Sequence, residues 1–529
     1  MHSSELELEK AKETRSGFPL RTLLLLTGFS VFYFADVCLR ASEKYFWFDE
    51  LGTVYQCRLS LHGLWHALRA GFDFNPPLLY LLTKIANDLF GEGLIVTRLP
   101  EIIGFWIFCL CLFRFVSKRA GPIAGFAAMA IPVFTGAFYY AYDARPHGLV
   151  LAFCGLALVC WQESLERRRE RIWLAGFSIA LFAAFMTHCY AITLAAPFAV
   201  AELVKSLGAR RIESRRWIAL ATPVLLAGVI YVPLLRAYHA TVGDTGFLNF
   251  SPLRWTQIGT FYNFLLAPCI LIVLLVLLLL TLNATDGIRY TREAKRQTAN
   301  SVFLEIVLAV SFLALPVFGL LLALKMHSPF YDRYFMSALA GFCILVGFGI
   351  GTGKRAHWMS TVLAGVMACC LVSSVLVVLW HRSQGWPEHL AEPSSGFSSN
   401  VSLSGPLVNY PMLLSAAKKG ERIVVLWPMD FFYLVNYAPE LRGQLYYINW
   451  DDHDTFYRVL ERIHQYAPVP YHTVSAGEFY ASRDDFMFFG LASDSGQLRA
   501  IAGDTILKSL EFSNGRFLAD IRLKPPKHE

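Results

Sequence analysis

The sequence predicts a polytopic α-helical membrane protein of about eleven transmembrane helices, with interfacial helices in its first external loop and a small C-terminal α/β domain outside the membrane. Three observations carry this reading. Of the 529 residues 55% are hydrophobic and only 16% charged, and the mean hydropathy is +0.44, whereas a soluble domain carries about 25% charged residues. The apolar residues gather in runs near the ~20 that a helix needs to cross the hydrocarbon core. Lys and Arg cluster in short stretches between those runs, which is how membrane orientation is written. The net charge of +7 is thereby explained without an anionic partner, and nucleic acid is not expected as one.

Residues 1–19 read as a cytoplasmic tail. The charged lead (Lys10, Lys12, Arg15, Arg21) precedes an apolar run without a small-residue cleavage site, so the run is an uncleaved anchor. Further spans fall near 94–113, 122–140, 146–162, 172–188, 190–204, 217–236, 260–282, 303–325, 334–351 and 358–380, after the first at 20–40. Basic groups at 114–119, 167–171, 205–216, 289–296 and 354–355 occupy alternate loops. All become cytoplasmic if the N-terminus is inside. An odd number of spans then places 381–529 outside, behind a membrane domain of 20–380.

That last segment opens on a linker (Pro393, Ser394, Ser395, Gly396) and continues with strand-like IVVLWP and QLYYINW around a helical DFFYLVNYAP. It carries no nucleophile or metal signature and reads as a recognition or packing domain. The 11 cysteines lie almost entirely in apolar runs, without zinc or disulfide spacing.

Chemistry collects in the external loops. The first, 41–93, begins with Trp47, Phe48, Asp49 and Glu50, two carboxylates that are costly to desolvate at a membrane surface unless something uses them. Taken alone they read more readily as a solvated interfacial turn, since interface Trp and charges are common. The stretches LHGLWHALRAGF and NPPLLYLLTKIANDLF follow with helical spacing and one wet face, as interfacial helices do. The next external loop holds Tyr142, Asp143, Arg145 and His147 within six residues; the bland reading is an Asp/Arg pair closing a hairpin. Later turns offer His188, then Lys325, His327, Tyr331, Asp332 and Arg333. A lone histidine is more often a bonded interface residue than a catalyst, yet Arg presents a fork matched to phosphate oxygens, and Lys and His add charge. The outer rim therefore offers carboxylates to accept a proton and cations to hold a phosphate.

The ordered series WFDE, NPPLLYLLTKIANDLFGEGLIVTRLP, YYAYDARPHGLVLAF, THCYA and PFYDRYF, spread over roughly residues 20–350, resembles the bacterial family-39-like glycosyltransferases of the GT-C membrane fold, relatives of the protein O-mannosyltransferases and of the aminoarabinose transferase. The resemblance implies an inverting transfer from a polyprenyl-phosphate sugar to a glycolipid, glycan or protein acceptor, in a bacterial inner membrane. It makes Asp49 the base with Glu50 beside it, and places Asp143 and Arg145 in the second motif. His147 stands there where the family has an aromatic. It matches Arg98 to an arginine at the outer end of the second span and Arg333 to one expected near the carrier phosphate; Arg98, His188, Lys325 and Tyr331 are further candidates for binding the carrier phosphate or sugar. No cofactor is implied, and a divalent cation among Asp49, Glu50 and Asp143 stays open. Donors in such enzymes include aminoarabinose, mannose and galacturonic acid. The competing reading, a lipid-linked glycan transporter or flippase, requires ionisable residues or broken helices at mid-membrane.

Overall fold

The computed structural model describes residues 20–523 apart from 71, 74, 167–168, 243–252, 285–295, 327–329, 352–355, 384–409, 427, 450–471, 482–485, 492–504 and 514–515. The N-terminal tail, Arg289, Arg292, Lys295, His327, Lys354, Arg355 and the linker 393–396 lie outside the described residues.

Among the described residues, eight helices are long and apolar enough to cross a membrane: Leu20–Glu43, Val96–Ala120, His147–Ser164, Glu170–Thr187, Cys189–Ala209, Ser214–Arg236, Thr256–Thr281 and His357–Trp380. The other three expected positions differ in form. Pro122–Phe134 with Gly136–Tyr142 is bent by 77°, Ser301–Leu313 with Leu315–Lys325 by 45°, and Ala338–Gly351 is short. The segment expected as a span over 122–140 is thus two helical pieces with a bend between them. Its break follows from Pro132, which lacks the N–H a helix needs there, and from Gly136, where a Cβ would stand 2.3 Å from the Phe264 carbonyl oxygen. The break delivers Tyr139, Tyr140, Tyr142 and Asp143 to one end of the bundle.

The helices that frame this end are α1 (Leu20–Glu43), α2 (Phe48–Arg58), α3 (Leu61–Arg69), α4 (Leu78–Phe90), α5 (Leu99–Ala120), α6 (Pro122–Ala130) and α7 (His147–Ser164). Helices α5 and α7 cross closely because Gly148 has no side chain: a Cβ there would lie 2.7 Å from the Glu101 carbonyl oxygen. Helix α3 is started by Ser60, whose Oγ accepts from Gly63 N at 3.1 Å. It buries Leu64 and Leu68 and exposes Leu61 and Trp65, while α4 buries Leu79 and Tyr80 and exposes Ile85, Leu89 and Phe90. Such apolar outer faces suit helices lying in a membrane interface.

At the other end of the bundle the basic residues are cross-tied. Lys118 pairs with Glu163 at 2.8 Å, Arg119 with the buried Glu305 at 2.8 Å, and Arg216 with Glu202 at 2.8 Å. These ties collect the ends of successive helices and leave the carboxylates paired, as buried charges must be.

The C-terminal part contains a six-stranded sheet, with β1 (Arg422–Val425), β2 (Leu445–Asn449), β3 (His472–Ser475), β4 (Phe486–Leu491), β5 (Thr505–Ser513) and β6 (Arg516–Leu523) in the order β3-β2-β1-β4-β6-β5. Strands β3, β2, β1 and β4 run parallel, and β6 and β5 add antiparallel. The IVVLWP and QLYYINW segments supply β1 and β2, and DFFYLVNYAP supplies the helix after β1, Pro428–Tyr437. That helix packs on α2: Phe46, Leu51, Val54 and Tyr55 share one apolar cluster with Phe431, Phe432 and Val435.

Candidate functional site

Asp49 sits in the first turn of α2, and the chain reaches it through a short connector, Lys44 to Trp47, after α1 ends. The helix start carries the return half of a capping box: Glu50 Oε2 reaches back to accept from Trp47 N at 3.2 Å. This bond turns Glu50 inward and leaves Asp49, its neighbour around the helix, facing outward.

The site has two layers. The inner one is a buried charge knot in which Glu50, Arg98 and Asp143 are each 0% exposed and Lys44 is 3% exposed. Arg98 donates through Nε to Glu50 Oε1 at 2.7 Å and through Nη2 to Oε2 at 2.8 Å. Its Nη1 donates to the carbonyls of Ala41 at 2.8 Å and Lys44 at 2.7 Å, and its guanidinium lies over the Phe46 ring. Glu50 Oε1 also accepts from Ala144 N at 2.7 Å. Asp143 Oδ1 accepts from Lys44 Nζ at 2.7 Å and Trp47 Nε1 at 2.8 Å, while its Oδ2 has no partner among the described residues. Burial alone would raise the Glu50 carboxyl, but Arg98 and Lys44 hold it down at about 2. Burial wins at Asp143 and lifts it to about 6 against the pull of Lys44.

The outer layer faces open space. Asp49 Oδ2 stands 3.4 Å from Arg333 Nη2, and both side chains are 20% exposed. Arg145 Nη1 donates to the Asp49 carbonyl and to Asp73 Oδ2, each at 3.1 Å. Asp73 also accepts from Tyr80 Oη at 2.6 Å and Asn75 Nδ2 at 3.2 Å. Arg333, in a short 3-10 turn Asp332–Phe335, lies over the rings of Tyr331, Trp47 and Tyr334 at 5.0, 5.8 and 5.8 Å. Tyr334 stacks on Tyr190 at 4.5 Å and against His188 at 4.7 Å. A cleft behind Arg333 is lined by His147, His188, Tyr334 and Ser337. His188 Nδ1 accepts from Tyr190 N at 3.1 Å. Burial, with Arg145 and Arg333 nearby, lowers this imidazole to about 3.

The structure thus brings Asp49, Arg145, Tyr331 and Arg333 to one face and sorts the other expected residues differently. Glu50 and Arg98 pair with each other in the interior, away from the face that carries Asp49 and Arg333. Asp143 lies in the same knot. His188 is neutral at physiological pH and adds no charge. Lys325 is exposed near the end of the helix Leu315–Met326. The three carboxylates considered for a divalent cation do not converge, and no group of three or more His, Cys, Asp or Glu among the described residues is arranged to hold a metal. Sequence reasoning missed Lys44 and Asp73. Asp73 had one signal, an acidic residue two before Asn75-Pro76-Pro77 in the loop expected to be external.

Residues 75–235 match the family model "Dolichyl-phosphate-mannose-protein mannosyltransferase". No curated protein matches the chain in sequence. The chain is similar to the solved structure of ArnT from Cupriavidus metallidurans bound to undecaprenyl phosphate, with a TM-score of 0.51 and 12% identity over 94% of this chain and 97% of that one. The apo ArnT structure from the same organism gives a TM-score of 0.53 with the same identity and coverage. The protein therefore has the GT-C membrane fold. The fold and the mannosyltransferase-model match together support a membrane glycosyltransferase.

Proposed function

We propose that the protein is an inverting glycosyltransferase that moves a sugar from a polyprenyl-phosphate carrier to a glycolipid, glycan or protein acceptor on the external face of the membrane. The observation that carries this is the pairing of Asp49 with Arg333 at 3.4 Å on an open, aromatic-lined face. An acceptor hydroxyl attacks the anomeric carbon, the bond from that carbon to the phosphate oxygen breaks, and the electron pair leaves with the lipid phosphate. Asp49 takes the hydroxyl proton as attack proceeds. Arg333, with Arg145 behind it, meets the charge that develops on the leaving phosphate. The rings of Trp47, Tyr331 and Tyr334 give a sugar apolar faces to lie against. The ArnT structure with undecaprenyl phosphate supports a lipid of that class as the carrier here. Nothing in the comparisons supports the transport reading.

Two measurements test the proposal. Purified protein in lipid nanodiscs is given a panel of polyprenyl-phosphate sugars, and release of the free lipid phosphate is followed. Lipid, glycan and protein fractions from cells with and without the gene are compared by mass spectrometry. A sugar-sized mass difference in one fraction, with donor turnover by the purified protein, is the expected result. Identical fractions together with no turnover of any donor would overturn it.

A further inference from the structure

The connector that carries Asp49 is held at almost every polar backbone atom the structure accounts for. Arg98 takes the carbonyls of Lys44 and Tyr45, and Glu50 takes the N–H of Trp47. The N–H of Phe46 is the exception in origin: it donates at 2.8 Å to the hydroxyl of Tyr437, 391 residues away in the C-terminal domain. Around that bond the helix after β1, Pro428–Tyr437, grips α2 over its length. Tyr437 packs edge-on against Tyr45 at 4.8 Å, Phe432 meets Phe48 at 5.2 Å, and Asn436 Oδ1 accepts from Tyr55 Oη at 2.8 Å. Tyr45 lies in the connector and Phe48 is the first helical residue, and together they lead directly into Asp49.

The location of this helix sharpens the point. In the strand order β3-β2-β1-β4-β6-β5 the chain reverses direction beside β1, and an open α/β sheet uses the carboxyl end of such a strand to receive a ligand. Here the helix that leaves β1 receives α2 of the membrane domain instead.

We infer that the C-terminal domain acts as a template for the reacting carboxylate, and that Tyr437 is a positioning residue acting through the Phe46 N–H on Asp49. This rests on the glycosyltransferase reading, with Asp49 as base. A general base works only within hydrogen-bond reach of the proton it takes, and a displacement of about 1 Å can cost about a hundredfold in rate. Losing one of the connector's clamps moves the first turn of α2 by less than that, so the expected penalty is about tenfold in turnover.

The test is a double-mutant cycle on the full chain in nanodiscs, read as turnover, donor affinity and melting temperature. Tyr437→Phe keeps the ring against Tyr45 and deletes only the acceptor. It should lower turnover about tenfold, leave donor affinity as in the parent, and have no further effect in an Asp49→Asn background. Retained donor binding shows that the variant is folded. Parental turnover in Tyr437→Phe, or the same fold loss in the Asp49→Asn background, overturns the inference while leaving the base assignment intact. Parental turnover in Asp49→Asn alone overturns the base assignment and this inference with it.

Discussion

Arg333 approaches the Asp49 carboxylate at 3.4 Å without closing a bidentate pair, and both side chains stay partly exposed. Such a pair is open to exchange: a phosphate can take the guanidinium while the carboxylate turns to a hydroxyl. Arg333→Ala should weaken carrier-lipid binding by about 1.5–3 kcal/mol, the range for a charge-assisted hydrogen bond. Arg333→Lys should recover only part, because a point charge lacks the planar fork. Donor titration of both variants in nanodiscs decides this, and a binding curve for Arg333→Ala that overlays the parent removes Arg333 from the phosphate.

Asp49→Asn keeps size and shape but cannot accept the proton. Turnover should fall by at least about a hundredfold, the scale for a lost general base, with donor affinity and melting temperature near parental values. An Asp49→Asn enzyme that transfers sugar at full rate would make Asp49 a surface residue of α2 and nothing more.

The motif series placed Asp49 and Arg333 together although 284 positions separate them in the chain, because external loops must meet at one end of a helical bundle. The roles of Glu50 and Arg98 were not legible. Adjacent residues on a helix point about 100° apart, so WFDE says that one carboxylate can face out and the other in, without saying which. The capping bond from Trp47 N to Glu50 settles it. Lys325 and Arg333 stand eight residues apart in one sequence stretch, but the first ends a helix and the second sits in the 3-10 turn Asp332–Phe335 that carries it to Asp49. Asp73 had only the neighbouring Asn75-Pro76-Pro77 to mark it, and Tyr437 nothing local: the partners that tie them to the site, Arg145 and Phe46, come from distant segments. The break at Pro132 was visible as a proline, but the close approach of Phe264 to Gly136 was not.

Glu50→Gln tests the inner layer. The change leaves Arg98 buried without its counter-charge, and breaking such a pair costs about 3–5 kcal/mol. The melting temperature should drop clearly, and Glu50→Gln combined with Arg98→Met should recover part of it because the pair is removed together. Unchanged stability with lost turnover would instead make Glu50 a reacting group.

Orientation is tested independently of chemistry. Single-cysteine labels at Ser117 and Arg210 should be shielded from a membrane-impermeant reagent, and labels at Ser60 and Trp450 should react from outside, following the alternation of basic loops. Labelling at Trp450 only after the membrane is opened would reverse the placement of the C-terminal domain.

The last test concerns acid sensitivity. Burial and the nearby Arg145 and Arg333 lower His188 to about 3, against about 6.5 for a free histidine. Between those values the unfolded chain binds more protons at this position than the native protein does, so stability rises with pH across the window. The contribution of the neutral ring is fully present above about 6.5 and is lost progressively as the pH falls toward about 3. Asp143, lifted to about 6, has the opposite slope. It is common to parent and variant and cancels when they are compared. His188→Asn keeps an acceptor for the Tyr190 N–H but does not titrate. It should melt below the parent at pH 7.5, having lost the packing against Tyr334, and the gap should narrow at pH 5 as the parent alone loses the histidine contribution. A gap of the same size at both values would mean that His188 takes up its proton in the folded protein at no cost, and the neutral imidazole would be wrong.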